Sequence, residues 1–131
     1  MFNSIRTSLE NKERVTELTN KLVLGTENVI ARIALGYSLS KDTKLSLTEI
    51  QDSKGKEYSR RVLFGEYESL YVGMICQKYN LNHLNKEIPR YLKMHVDNGL
   101  EKIHNDLISN PNVSGIDYLL NKLQTSINFI G

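Results

Sequence analysis

The stretch Thr26–Leu39, TENVIARIALGYSL, is the segment of this 131-residue chain that most clearly decides its fold. Thr26 is a suitable helix N-cap, and Glu27 places a negative charge where it complements the helix dipole. Apolar residues then recur at the spacing of one helical face. The members of that face are Val29, Ile30, Ile33, Ala34 and Tyr37. The stretch therefore predicts an amphipathic helix that reaches about Leu39.

The residues before this stretch predict a strand and another helix. Phe2–Arg6 is short and could pair as an edge strand, and Thr7-Ser8-Leu9-Glu10 has the form of a capping box with Thr7 as the N-cap. Apolar spacing predicts a helix over residues 8–22, and Gly25 ends it because glycine adopts positive φ without penalty.

The resulting order of strand, helix, glycine turn and helix is similar to a ribbon-helix-helix unit. Such units dimerise through the strand, and β-ribbons of this kind can read DNA. An ordinary helical hairpin with a frayed N-terminus fits the same pattern. Both interpretations remain open from the sequence.

The residues after the central stretch predict further helices. Leu45–Glu49 alternates in polarity and suggests a short strand or an extended loop, and a turn follows at residues 51–56. A third helix is expected over residues 63–79, and a fourth over residues 89–108, with Pro89 as its first residue. The inward residues expected in the third helix are Tyr67, Leu70, Tyr71, Met74 and Ile75.

A last helix is expected after Ser114, carrying Leu119, Leu120 and Leu123. These elements together predict an all-α, mainly helical fold. Residues 1–131 have the length of a single domain.

Composition points to a protein of a reducing compartment. Cys76 is the only cysteine, so the chain has no internal disulfide. No apolar run approaches the roughly 18 residues of a membrane helix, and the N-terminus lacks a signal-peptide pattern, so we expect a cytoplasmic protein without a membrane contact. Cys76 itself is expected to be a buried small hydrophobe; the alternative, a sulfur-carrying nucleophile, would require a neighbouring cation or a helix N-terminus to lower the thiol pKa.

No motif predicts catalysis, a metal or a cofactor. His83, His95 and His104 lack metal-ligand spacing, and no phosphate-binding glycine loop occurs. His95 and His104 are expected at the surface or on a helix flank. Asp97 and Glu101 share a helix face and are expected to form a solvated flank. The sequence therefore predicts no catalytic residue, no metal site and no cofactor.

A cluster of cations is the remaining candidate site. The net charge is only +2, but residues 1–65 carry eleven Lys and Arg against eight Asp and Glu. Such side chains bind DNA phosphates without reading sequence. Gly55 would make their loop pliable, and Tyr58 could stack on a sugar or base. The candidates are Lys54, Lys56, Arg60 and Arg61, with Arg6, Lys41 and Lys44 as a second set that could extend the patch.

The same cations also fit a less specific interpretation. Asp52 and Glu57 flank the cluster, so it could be an ordinary solvated loop.

Three segments resemble the DndE family of DNA phosphorothioation proteins. Asn28–Leu35 followed by Ser38-Leu39 is similar to that family's signature helix. Gly55–Tyr58 followed by Leu63–Tyr67 is similar to its central motif, and His95–Leu100 to its C-terminal helix motif. Their order and spacing also fit, and the resemblance covers about residues 9–107. Residues 108–131 form an extension outside it.

The resemblance implies a protein that catalyses no reaction itself and assists partner enzymes. The family works beside a cysteine desulfurase, an ATP-using sulfur-transfer enzyme with an iron–sulfur cluster, and an ATPase, which together replace a non-bridging phosphate oxygen of DNA with sulfur. The DndE member is an all-helical homotetramer without a cofactor. It binds double-stranded DNA through surface lysines and prefers nicked duplex.

Several questions stay open at this point. Arg32 belongs to the signature helix, and it could make a packing contact, an inter-subunit salt bridge or a phosphate contact. The chain could instead be a ribbon-helix-helix transcriptional regulator, or a structural hub for the sulfur-transfer enzyme and the ATPase. It could also be a DNA nickase with His95 or Glu66 as general base.

Overall fold

The computed structural model describes residues 2–109, in which five α-helices accompany a two-stranded sheet. The mainly helical fold predicted from the sequence is confirmed, as is the short N-terminal strand. The expected last helix lies outside the described residues. The elements in order are β1 (Ser4–Arg6), α1 (Leu9–Lys21), α2 (Glu27–Leu39), β2 (Glu57–Ser59), α3 (Arg60–Phe64), α4 (Glu68–Tyr79) and α5 (Ile88–Ser109).

Helices α2 and α5 form the centre of the core. A Cβ atom at Gly99 would lie 2.0 Å from the carbonyl oxygen of Ala34, so the two backbones touch where the helices cross. The large side chains around this crossing are fully buried. They include Ile30, Leu35, Leu39, Leu92, Leu100 and Ile103. The apolar periodicity of the central stretch therefore marks the helix around which the others pack.

Helix α1 begins one residue later than its sequence predicted. Ser8, not Thr7, is the N-cap, and its Oγ accepts a hydrogen bond from the backbone N–H of Asn11 at 3.2 Å. Thr7 instead continues the strand pairing, because its N–H donates to the carbonyl oxygen of Lys56 at 2.9 Å. The strand pairing thus fixes which of the two hydroxyl residues caps the helix.

The sheet joins the N-terminus to a strand that sequence analysis missed. β1 pairs antiparallel with β2, with Ile5 opposite Tyr58 and Arg6 opposite Glu57. The strand or extended segment expected at Leu45–Glu49 is wrong in part, since Leu47–Glu49 forms a 3-10 turn. The N-terminal unit has the ribbon-helix-helix order of elements, but the partner of its strand lies in the same chain.

The helix expected over residues 63–79 is broken in two. Gly65 has a φ of +56° and ends α3, and a 3-10 turn over Gly65–Tyr67 precedes α4. Tyr67, in the 3-10 turn, and Leu70, on α4, are exposed, contrary to the sequence prediction. Tyr71 and Ile75 are buried as expected.

Helix α5 begins at Ile88, one residue before the predicted start at Pro89. A proline in the first helical turn costs no intrahelical hydrogen bond, so the shift needs no compensation.

Candidate nucleic-acid interface

The loop that carries Lys54 and Lys56 is fastened to the start of α1. Gly55 N donates to the carbonyl oxygen of Thr7 at 2.9 Å, and Lys56 N donates to Oγ1 of Thr7 at 2.9 Å. A Cβ at Gly55 would lie 2.0 Å from the carbonyl oxygen of Ser8. The expectation that Gly55 makes this loop pliable is therefore wrong, because the glycine permits a close backbone contact that holds the loop in place.

Asp52 fixes the backbone of Lys54. One carboxylate oxygen, Oδ1, accepts hydrogen bonds from Leu9 N at 2.9 Å and from Lys54 N at 3.0 Å. These two hydrogen bonds hold the pKa of Asp52 below its usual range. The side chain of Lys54 is exposed and makes no ion pair with another residue in the described range 2–109. Lys54 is thus a cation without a salt bridge on an ordered loop, although its charge also contributes to lowering the pKa of Asp52.

Two other cations of this region are partly neutralised by acids. Arg6 forms an ion pair with Glu57 on the neighbouring strand. A hydrogen bond from Ser4 and the charge of Arg6 lower the pKa of Glu57. Lys56 Nζ lies 3.5 Å from Glu27. Both pairs are solvent-exposed or half-buried, so they contribute little stability and can exchange for a phosphate.

Arg60 and Arg61 lie at the start of α3, beside a depression of about 450 Å³. Arg60 pairs with Glu68 at 2.6 Å, donates to the carbonyl oxygen of Phe2 at 3.2 Å and lies over the Phe2 ring. Arg61 is exposed and makes no ion pair to any residue that the structure describes. Arg61 is therefore the second cation of the region without a salt bridge to a described residue.

Five of the seven predicted cations meet around the β1–β2 sheet. We call these residues the sheet cluster. Its members are Arg6, Lys54, Lys56, Arg60 and Arg61.

Lys41 and Lys44 lie elsewhere. They follow the C-terminal end of α2, whereas Glu27, the partner of Lys56, begins that helix. Helix α2 has 13 residues. At 1.5 Å per residue it separates the two groups by about 20 Å along its axis. The structure therefore does not extend the sheet cluster with these two lysines.

Lys41 has basic neighbours that sequence analysis missed. Lys78 Nζ donates to the carbonyl oxygen of Lys41 at 2.6 Å, and Lys102 lines a recess together with Lys41. Burial lowers the pKa of Lys78, and the charge of Lys44 acts in the same direction. Positions 41, 78 and 102 are too far apart in the sequence for their spacing to reveal this group.

Tyr58 is not available to stack on a base, contrary to the sequence hypothesis. Its ring is buried, and its hydroxyl donates to the carbonyl oxygen of Glu27 at 3.2 Å. Burial raises the pKa of this hydroxyl. The residue positions β2 on α2.

Arg32 makes a packing contact within the chain. Its Nε donates to the carbonyl oxygen of Leu63 at 2.8 Å, and one terminal nitrogen donates to that of Val62 at 3.2 Å. These carbonyls belong to α3, whose last residues have no helical donor. Arg32 therefore caps α3, which explains the presence of a cation in the otherwise apolar signature helix.

His95 is a buried residue, and the expectation of a surface position is wrong. Its Nε2 lies 2.7 Å from the hydroxyl of Tyr79, and its Nδ1 lies 2.7 Å from Oγ of Ser38. Burial, with a smaller contribution from the charge of Lys78, lowers the pKa of His95 to about 4. Both ring nitrogens are thus occupied, and the ring is neutral near pH 7.

Asp97 is likewise buried, so the predicted solvated flank with Glu101 is wrong. Its carboxylate pairs with Lys93 and accepts hydrogen bonds from Ser8 N at 3.0 Å and from Asn11 Nδ2 at 2.8 Å. The negative charge lies at the start of α1, where it complements the helix dipole. Asp97 therefore ties α1 to α5.

Other features of the described residues give no sign of a reactive site. No group of three or more His, Cys, Asp or Glu among residues 2–109 could hold a metal ion. Cys76 is partly buried and packs against the core, close to the expected environment. No helix in this range is long and apolar enough to cross a membrane.

Residues 4–110 match the sequence model of a family described as DNA sulphur modification protein DndE. The chain belongs to the DndE family. The resemblance inferred from the three sequence segments is confirmed over essentially the range on which it rested. No curated protein matches the chain.

Solved DndE structures share the fold of this DndE-family chain. One is DndE from Escherichia coli B7A, described as involved in DNA phosphorothioation modification; the TM-score is 0.63 at 17% sequence identity, over 79% of this chain and 98% of that chain. A DndE variant with two glycines changed to lysine, also described as involved in DNA phosphorothioation, gives a TM-score of 0.65 at 18% identity with the same shares covered. The agreement covers nearly the whole of both relatives.

Proposed function

We propose that this DndE-family chain is a non-catalytic DNA-binding subunit of a bacterial DNA phosphorothioation system. It contacts the sugar–phosphate backbone of duplex DNA through the sheet cluster, and it prefers nicked duplex. A sulfur-transfer enzyme and an ATPase of the same cytoplasmic complex carry out the sulfur incorporation. The observation that carries this proposal is the presence of two exposed cations, Lys54 and Arg61, that form no salt bridge with a described residue.

The arrangement of the sheet cluster favours backbone contact over base reading. Lys54 is held by Asp52 and by the Gly55 contact, so binding a phosphate there costs little loop ordering. Lys and Arg side chains neutralise phosphates and release counterions, which gives affinity without sequence discrimination.

A preference for nicked duplex follows from the mechanics of DNA. A nick makes one joint flexible, so bending the duplex there costs less free energy than bending an intact duplex. A homotetramer presents several sheet clusters, which can then engage both arms beside the nick.

The burial of His95 weighs against a nickase that uses this residue as its general base. A general base must reach the proton that it removes, and both nitrogens of His95 are bound inside the core. Glu66 is exposed. We expect no nicking of supercoiled plasmid in the presence of Mg²⁺. Nicking that is lost in Glu66→Gln would replace the proposal with an enzymatic function.

The test of the sheet cluster is the salt dependence of DNA binding. Lys54→Gln combined with Arg61→Gln removes two free cations and breaks no ion pair of the described residues. If each contacts one phosphate, the slope of log Kobs against log salt should flatten by about 2.

A matched control removes the same charge elsewhere. Lys21→Gln combined with Lys86→Gln changes exposed residues at the end of α1 and in the loop before α5. This variant should keep the wild-type slope. Equal slopes for all three proteins would exclude the sheet cluster as the DNA contact.

A further inference from the structure

A recess beside the C-terminal end of α2 is separate from the sheet cluster. It encloses about 290 Å³. Its lining residues are Ser38, Lys41, Thr43, Leu45, Asn98 and Lys102.

The lining of this recess is basic and contains no carboxylate. The depression beside the sheet cluster, in contrast, includes Glu68, and a smaller recess next to Leu45 is lined by Glu49, Asp97 and Glu101. Lys41, from the segment after α2, and Lys102, from α5, both line the recess. Two lysines and no acid therefore line the recess, and the Lys41 ammonium lies 4.6 Å from the centre of the Tyr37 ring.

The surroundings of the recess contain both cations and acids. Lys78 donates to the carbonyl oxygen of Lys41, and Lys44 is close enough to lower the pKa of Lys78. The acids lie outside the lining: Asp42 interacts with Lys78, Asp106 lies 3.4 Å from the hydroxyl of Tyr37, and the others belong to the adjoining recess. The excess of positive charge is therefore confined to the lining of the recess itself.

A hydrogen-bond chain behind the recess orients its amide donor. Leu45 N donates to the Tyr79 hydroxyl at 2.9 Å, and this hydroxyl donates to Nε2 of His95. Nδ1–H of His95 then donates to Ser38 Oγ, and the Ser38 hydroxyl donates a hydrogen bond to Oδ1 of Asn98 at 2.9 Å. With a neutral His95, this assignment gives every group in the series a hydrogen-bond partner.

The direction of this series of hydrogen bonds leaves one donor group unused. Because Oδ1 of Asn98 accepts the hydrogen bond from the Ser38 hydroxyl, Nδ2 is the end of this side-chain amide that can donate to another group. Nδ2 makes no hydrogen bond with another residue in the part of the chain that the structure describes. The buried groups Ser38 and His95 hold this amide in position at the edge of the recess.

We propose that this recess binds a phosphate group. The ammonium groups of Lys41 and Lys102, the hydroxyl of Thr43 and the Nδ2 amide of Asn98 supply donors of the kind that a tetrahedral dianion accepts. The site goes beyond the proposed function, since its chemistry selects a phosphate whether that group belongs to DNA or to a small molecule.

The experiment follows the side-chain amide of Asn98 by NMR. Inorganic phosphate is titrated into the full-length protein at constant ionic strength, with chloride as the replaced anion. We expect a saturable shift of the Asn98 amide signals in the wild-type protein. Lys41→Gln combined with Lys102→Gln should weaken the apparent affinity by at least tenfold, whereas Lys21→Gln combined with Lys86→Gln should leave it unchanged.

Two outcomes would overturn the site. One is the absence of a saturable shift in the wild-type protein. The other is an equal loss of affinity in both double variants, which would reflect general electrostatics rather than a recess.

A short duplex then identifies the source of the phosphate. A duplex that shifts the same amide signals and is displaced by inorganic phosphate places DNA in the recess. A duplex that leaves them unchanged assigns the recess to a small phosphate compound. The Lys54→Gln, Arg61→Gln variant should bind inorganic phosphate normally, so a failure of the sheet cluster and a failure of the recess are distinguishable.

Discussion

At Gly99 the backbone of α5 touches α2, and a Cβ there would lie 2.0 Å from the Ala34 carbonyl oxygen. Gly99→Ala should therefore lower the free energy of unfolding by about 1–3 kcal/mol, because the clash is with backbone that cannot rotate away. Urea denaturation measures the change.

Gly73 provides the matched control for that substitution. It lies on α4, and a Cβ at this position would meet nothing within 4 Å. Gly73→Ala should raise stability by about 0.5–1 kcal/mol through helix propensity alone. An equal effect of the two substitutions would contradict the close crossing of α2 and α5.

His95 makes the stability of the fold depend on pH. Its pKa is lowered to about 4 in the folded protein, against an ordinary value of 6.5. Below pH 6.5 the unfolded chain binds a proton that the folded chain does not, so stability falls as the pH falls. Between pH 6.5 and pH 5 this contribution should amount to about 1–2 kcal/mol.

The comparison with His95→Gln isolates that contribution. The variant removes the titrating ring, so its stability should decline less steeply over the same pH range, whatever its absolute stability. Parallel pH profiles for the two proteins would mean that His95 does not titrate as the buried environment requires.

Buried polar residues were the hardest to place from sequence. His95, Asp97 and Tyr58 are residue types usually found at least partly exposed, and sequence analysis put the first two on the surface. Their burial depends on hydrogen-bond partners such as Ser38, Ser8 and Glu27, which lie far away in the chain. Apolar periodicity predicts which face of a helix is buried, but it does not identify a polar partner that is distant in the sequence.

At the scale of elements, the buried carboxylate of Asp97 on α5 fastens α1 to α5 through hydrogen bonds, while an ion pair within α5 balances its charge. Asp97 accepts hydrogen bonds from Ser8 N and Asn11 and pairs with Lys93. Asp97→Ala leaves the Lys93 ammonium buried without a counter-charge and α1 without its anchor. We expect a loss of about 3 kcal/mol or more in thermal or urea unfolding.

A double variant separates the charge from the hydrogen bonds. Asp97→Asn with Lys93→Met keeps an oxygen for Ser8 N and removes the buried cation. This protein should be more stable than Asp97→Ala, because no unpaired charge remains in the core. If the double variant is the less stable of the two, the ion pair itself contributes the stability.

Long periodic elements were predictable, whereas short ones were not. The apolar faces of α1, α2 and α5 gave their extents to within one or two residues. β2 has only three residues, and its strand character depends on pairing with β1. The break at Gly65 depends on a positive φ, and a single glycine within an apolar run does not predict that conformation.

At the scale of the molecule, the fold sorts the cations into two groups. The sheet cluster combines residues from β1, from the loop before β2 and from α3, while Lys41 and Lys44 lie about 20 Å away along α2. Sequence analysis found the cluster at residues 54–61 because its members are neighbours in the chain. It could not find Lys78 and Lys102, which tertiary packing brings to Lys41.

The proposed function makes the DNA backbone the ligand of the sheet cluster. The most direct test is the binding of wild-type protein to duplexes of unrelated sequence over a range of salt concentrations. We expect binding at low ionic strength that is similar for all sequences, stronger for nicked than for intact duplex, and that falls linearly on a log–log scale as salt rises. Failure to bind any duplex at low ionic strength, alone or with the partner enzymes, would contradict the account.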